Sequence, residues 1–184
     1  MSDAFIIKGP NAALRKTKRS DIAQYRKWNN PKLKAWSMDA PWSEYDLIAL
    51  INWRKKWLDE GAKLPYKFLE IEASDGQHVG WVVVYHDYAD PHMTEVGIDI
   101  PEDAYWGQGI GAEALALWIQ YLFETMPIQR IGFSTWSGNI AMVKIGQKLG
   151  FLEEGRIRRG CMVQNQYHDR INMGLLKEDW CFPF

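Results

Sequence analysis

Apolar and polar positions along this 184-residue chain change period several times, and each change marks an element. Phe5 to Lys8 and Ala12 to Thr17 read as short extended pieces separated by the turn-rich Gly9-Pro10-Asn11. Ser20-Asp21 supplies a cap for a helix with Ile22 and Tyr25 on one face, which Asn29-Asn30-Pro31 stops. Ala35 to Trp42 reads as loop. Ser43 with Asp46 is a capping-box-like start for a second helix through about Asp59, its stripe of Leu47, Leu50, Ile51, Trp57 and Leu58 interrupted by Arg54.

Tyr66 to Glu72 alternates as a strand, Ser74-Asp75-Gly76 turns, and Val79 to Tyr85 is its antiparallel partner. Asp87 to Pro91 is a loop before a strand from Met93 to Ile100. Leu115, Trp118, Ile119 and Leu122 mark the buried stripe of a helix over Ala112 to Phe123. Ile128 to Thr135 is the next strand and Asn139 to Leu149 a helix with Gly150 beyond its end. The remainder supplies a final hairpin. This order implies one domain over residues 1–184, an α/β (α+β) sandwich with a mixed sheet, and the length suits a single core.

The chemistry concentrates between Ile98 and Ala112, where an apolar strand runs through Gly107, Gly109 and Gly111 into a helix N-terminus. Glycines there let the backbone adopt positive φ, and the helix adds unpaired first-turn N–H groups and its positive dipole end. The product is an anion cradle. Gly107, Gly109 and Ala112 satisfy a dinucleotide-binding spacing, but that site needs an acidic residue at the end of the next strand. That strand reads Gln129-Arg130-Ile131-Gly132-Phe133-Ser134-Thr135, without a carboxylate. A structural loop and a coenzyme A pyrophosphate site are the remaining readings, and a family resemblance supports the latter.

Charge narrows the partners. Lys plus Arg number 22 against 23 Asp plus Glu, so no global basic field draws nucleic acid or an anionic membrane. No apolar run approaches the roughly 20 residues of a membrane span, and a cytoplasmic location is expected. Cys161 and Cys181 are expected as thiols, and no metal-ligand spacing occurs. His168, between Tyr167 and Asp169, reads as structural. Ten tryptophans are the compositional oddity. Trp53 and Trp57 suit core packing, whereas Trp36 and Trp42 are candidate pocket walls, where a ring face can hold a cationic amine or cover a sugar.

Four ordered blocks, Trp106 to Ala114, Gly138 to Ala141, Lys148 to Gly155 and Tyr167 to Asp169, together resemble the GNAT N-acetyltransferase superfamily. The likeness is greatest to the branch of ribosomal-protein N-terminal acetyltransferases, which also holds polyamine and some aminoglycoside acetyltransferases. The resemblance implies a mostly antiparallel sheet in which Glu95 to Ile100 and Ile128 to Thr135 run parallel and splay apart, admitting acetyl-CoA as co-substrate. The pyrophosphate would lie on the N–H groups of Gln108, Gly109, Gly111 and Ala112, and the pantetheine arm along the backbone of Ile98 and Ile100. Asn139 is either an ordinary N-cap or a group holding the pantetheine or thiol. Many relatives carry a tyrosine seven residues after that asparagine as acid for the departing thiolate; here Gly146 stands in its place, leaving water, Tyr85 or Tyr167. Relatives are often dimers.

Acetyl transfer to an amine needs a group to take its proton. Glu95 is the first candidate base and Asp99 the second, on one strand face about 13 Å apart. Glu70 and Glu72 form a further acidic face, suited to a polycation or to solvent. The expected activity is acetyl transfer to a small cationic amine by direct attack in a ternary complex. An aminoglycoside-type antibiotic (hence resistance) or a polyamine fits, with Tyr85 beside Trp36 and Trp42 in the pocket. The alternatives are acetylation of a protein N-terminus, and a coenzyme A-binding sensor without turnover.

Overall fold

The computed structural model describes residues 5–30, 32–39, 47–60, 67–86 and 94–184. A hairpin of β1 (Phe5–Lys8) and β2 (Ala12–Arg15) leads to helices α1 (Asp21–Trp28), α2 (Lys34–Asp39) and α3 (Leu47–Glu60). Strands β3 (Phe68–Ala73), β4 (His78–His86) and β5 (Thr94–Asp99) follow, then α4 (Ile110–Thr125), β6 (Arg130–Trp136) and α5 (Ile140–Lys148). The hairpin of β7 (Leu152–Val163) and β8 (Gln166–Leu176) closes the order. Among the described residues, eight strands form one sheet in the order β1-β2-β3-β4-β5-β6-β8-β7, and only β5 and β6 pair in parallel. The mixed, mostly antiparallel sheet expected from the sequence is present.

Alternation along the central strands builds two cores. Val82, Val84 and Val96 join Leu115, Trp118, Ile119 and Leu122 of α4 in the main core, with Ile131 and Phe133 from β6. Each side chain of that α4 stripe is fully buried, and Trp118 Nε1 donates to Val83 O at 3.1 Å. Trp81 points the other way, into a cluster with Tyr25, Trp28 and Ile51 from α1 and α3. Burying side chains of this size contributes about 1.5–3 kcal/mol each, so α4 is fixed to the sheet far more firmly than its propensity alone would hold it.

Two local expectations change. Ala35 to Asp39, part of the Ala35 to Trp42 stretch read from the sequence as loop, belongs to the short helix Lys34–Asp39. Ser20 makes no side-chain cap for α1; the first-turn N–H groups of Asp21, Ile22 and Ala23 donate to the carbonyls of Lys18, Arg19 and Ser20, and the Asp21 carboxylate accepts Lys18 N–H at 2.6 Å ahead of the helix. Ser43 and Asp46, the expected cap of the next helix, lie outside the described residues.

Candidate active site

The strand-to-helix passage after β5 is a cradle. Gly107 and Gly109 sit at φ 76° and 84°, in the left-handed region that a side chain makes costly. Gly109 is the N-cap of α4 and has no side chain to satisfy the first-turn donors. The first intrahelical bond runs from Glu113 N–H to Gly109 O at 3.1 Å, so the N–H groups of Ile110, Gly111 and Ala112 have no helical acceptor. Glu113 itself would weaken the positive end, but its carboxylate turns away. It is buried against the β1–β2 turn, accepting Asn11 N–H at 2.8 Å, Asn11 Nδ2 at 2.8 Å and Ala12 N–H at 3.1 Å.

The cradle opens into a cavity of about 360 Å³. Ile98, Asp99 and Ile100 form one wall, Gly107, Gly109, Gly111 and Ala112 the cradle end, and Asn139, Met142 and Ile145 the far side. The cavity exists because β5 and β6 part: their only register pair among the described residues is Glu95 with Gly132. Ile98 and Ile100 both pack on the main core, and a methyl at Gly111 would lie 3.4 Å from Ile100 Cδ1. Asn139 is the N-cap of α5, its Oδ1 accepting Met142 N–H at 3.1 Å, while its Nδ2 donates to Met38 O at 3.2 Å. Trp136 Nε1 donates to the same carbonyl at 2.9 Å.

Several wall residues escaped the sequence reading. Ala35 and Met38 of α2 line the cavity, as i and i+3 on one helix face. Trp36 points elsewhere: its Nε1 donates to Trp28 O at 3.1 Å and its ring packs on the Tyr25–Trp28–Trp81 cluster. It does not line this cavity, and its ring is turned into the α1–α3 cluster; Trp42 lies outside the described residues. The Gln108 side chain folds back on Ala104 O at 2.7 Å, and Gly107 rather than Gln108 faces the cavity. Trp106 closes the rim, its Nε1 donating to Ile100 O at 2.8 Å.

On the other face of β5 lie Glu95, Gly97 and Asp99. Glu95 is half-buried at the point of divergence and accepts Ser134 Oγ–H at 3.2 Å. Its cross-strand partner is Tyr85, exposed on β4, whose ring edge sits over Gly97: a methyl there would be 3.0 Å from Tyr85 Cε2. Asp99 lines the cavity toward the cradle, while Glu95 stands at the splay point.

The acidic face expected of Glu70 and Glu72 is not a solvent face. Glu70 is fully buried, accepting Tyr25 O–H at 2.7 Å and Thr17 O–H, with His78 Nε2 at 3.0 Å and Arg54 Nε at 3.4 Å. Burial pushes its pKa up, but the Arg54 charge and the bonds from His78 and Thr17 outweigh burial and hold it at about 2. Glu72 accepts Arg15 Nε–H at 2.6 Å and Lys18 Nζ–H at 3.2 Å. Asp21, Glu70 and His78 bring possible ligand atoms within 4.8 Å of one another, yet Arg15, Arg54 and Tyr25 already match the two carboxylates. This network fastens α1 and α3 to the sheet. His168 packs edge-on to Trp136 with centroids 4.7 Å apart, and Cys161 and Cys181 are unbridged.

The Acetyltransferase (GNAT) domain family matches residues 12–152, and the chain belongs to that family of acetyl-transferring enzymes. A putative ribosomal N-acetyltransferase (YdaF) of Bacillus subtilis (strain 168) is 29% identical over 132 residues, spanning 70% of this chain and 67% of the relative. The uncharacterized N-acetyltransferase YnaD of the same strain is 23% identical over 158 residues, spanning 86% and 88%. Among solved structures, the spermidine N-acetyltransferase from Vibrio cholerae in complex with CoA and spermine superposes with a TM-score of 0.75 at 19% identity, over 93% of this chain and 98% of that one. A GNAT-family acetyltransferase from Bacillus anthracis gives 0.72 at 21% identity, over 94% and 98%. These likenesses establish the fold.

Proposed function

We propose that this chain, acting as one domain, is an acetyl-CoA-dependent N-acetyltransferase whose acceptor is the primary amine of a small cationic molecule, a polyamine or an aminoglycoside-type antibiotic. The observation that carries the acceptor is the pairing of Tyr85 with Glu95 where β5 and β6 part. An aromatic face beside a carboxylate suits an ammonium group, and Asp99 adds a second carboxylate further along the same strand face. The Vibrio cholerae neighbour, a spermidine N-acetyltransferase, supports this acceptor class.

In this reading the N–H groups of Gly109, Gly111 and Ala112 hold the pyrophosphate, with Gln108 as a further backbone donor beside them. The exposed backbone of Ile98 and Ile100 lines the pantetheine arm, and an N–H there faces the oxygen on which charge develops. Trp106 occupies one lone pair of Ile100 O, leaving the second for the arm. Glu95 takes the proton of the amine, and the amine then displaces the thiolate. Gly146 cannot supply a phenol to that thiolate, and of the two other tyrosines Tyr85 is the one beside Glu95.

The name of the YdaF relative favours a second acceptor, a protein N-terminus. A thiol-release assay with acetyl-CoA across polyamines, aminoglycosides and N-terminal peptides separates the two. The expected result is turnover on a polycationic small amine. Turnover confined to peptides would move the acceptor to protein.

A further inference from the structure

The carboxylate at the splay point has a built support that spans three strands. Ser134 on β6 is two residues beyond Gly132, the register partner of Glu95, and so is the first residue on that face past the last β5–β6 pair. Its Oγ lies 3.2 Å from Glu95 Oε1 and 3.0 Å from Asn172 Oδ1, and Asn172 is its direct partner on β8. A hydroxyl carries one proton, so it cannot donate to two oxygens at once. The two ends of an asparagine amide are nearly isosteric, and turning the group by half a rotation puts Nδ2 against Ser134. Asn172 then donates to Ser134 Oγ, and the Ser134 proton is committed to Glu95.

Resting on the reading of Glu95 as base, we infer that Ser134 and Asn172 are positioning residues that aim the Glu95 carboxylate across the gap between β5 and β6. The sheet explains why such a brace is needed. Glu95 is the last β5 residue paired on both sides, with Tyr85 of β4 and Gly132 of β6, and beyond that pair, among the described residues, no backbone pairing joins the two strands where its carboxylate meets Ser134. A side-chain bridge across the opening restores the missing constraint without closing it.

Steady-state kinetics of five variants test this, with circular dichroism confirming that each is folded. Ser134→Ala is expected to lower kcat about tenfold, the scale of one hydrogen bond to a charged group. The KM for acetyl-CoA should stay within about twofold, because Ser134 is not on the cavity wall. Ser134→Thr, which keeps the hydroxyl, should restore most of the loss. Asn172→Asp, an isostere that can only accept, should draw the Ser134 proton away and reproduce the loss. In a Glu95→Gln background, Ser134→Ala should change kcat by less than about twofold, since its effect acts through the carboxylate. An unchanged kcat in S134A or N172D, or an equal loss with and without Glu95, would overturn the inference while leaving Glu95 as base. Wild-type turnover by E95Q would instead overturn the base reading, and this inference with it.

Discussion

The side-chain amide of Asn139 donates to the backbone carbonyl of Met38 at 3.2 Å, and this bond latches the end of α2 to the start of α5, both residues lining the cavity. The same side chain caps α5 through its oxygen, so one residue does two separable jobs. Asn139→Asp keeps the capping oxygen and loses the latch. Its melting temperature should stay within a few degrees of wild type while the acceptor KM rises several-fold. Asn139→Ala loses both, and should cost a further 1 kcal/mol or so of stability by the usual scale of a lost N-cap. Thermal melts and initial rates on the two variants separate latch from cap.

The cradle depends on backbone conformation more than on side chains. Gly109→Ala places a methyl where nothing obstructs it, so its cost is conformational, about 1–2 kcal/mol for holding a side-chain-bearing residue at positive φ. If that strain turns the loop, acetyl-CoA affinity falls about tenfold by calorimetry. Gly76→Ala, in the β3–β4 turn at φ 82° and equally unobstructed, is the control. It should lower stability to a similar extent and leave acetyl-CoA affinity unchanged.

Buried charge makes acid stability specific. Glu70 is held at about 2 in the fold against an ordinary value of 4.5, so the unfolded chain binds the extra proton. The stabilisation is fully present above pH 4.5 and is lost as pH falls toward 2. A shift of this size corresponds to about 3 kcal/mol at neutral pH. Denaturant titrations between pH 6 and pH 2 should show wild-type stability falling more steeply than that of Glu70→Gln, which begins lower and lacks this titration. Parallel slopes would contradict the assignment.

Gly146 is a packing position. A methyl there would lie 2.6 Å from Phe133 Cζ and 3.1 Å from Met173 Sδ, inside the main core. Gly146→Tyr should therefore not install the acid that many relatives carry at this place. It should destabilise by about 1–3 kcal/mol or more through overpacking and lower the rate of thiol release. A stable G146Y protein with raised kcat would show that the core opens to admit the ring.

Much of this was legible in the sequence, for identifiable reasons. Strong periodicity disclosed α4 and the β3–β4–β5 meander, and closely spaced glycines before a helix disclosed the cradle. The alternation of Glu95, Gly97 and Asp99 placed both carboxylates on one face before any coordinates. The six-residue α2 was missed because Lys34–Asp39 has no capping signal and too few residues to show a period, and with it went Met38 and Ala35. The contact of Trp36 with Trp28 O was hidden for the same reason. Glu70 read as part of an open acidic face, for a polycation or for solvent, because an alternating charged residue usually is exposed; its partners Arg54, Tyr25 and Thr17 come from distant segments that only the tertiary fold brings together. The Ser134–Asn172 brace likewise joins residues 38 apart in sequence. Spacing carries no signal for such pairs.

We propose acetyl transfer where β5 and β6 part, with Glu95 receiving the proton of the amine. The most direct test is Glu95→Gln, measured by acetyl-CoA titration and by thiol release with the preferred amine. If Glu95 is the base, the acetyl-CoA Kd stays within about twofold of wild type and kcat falls by about 10²–10⁴, the range of general-base catalysis. Turnover at the wild-type rate would contradict it.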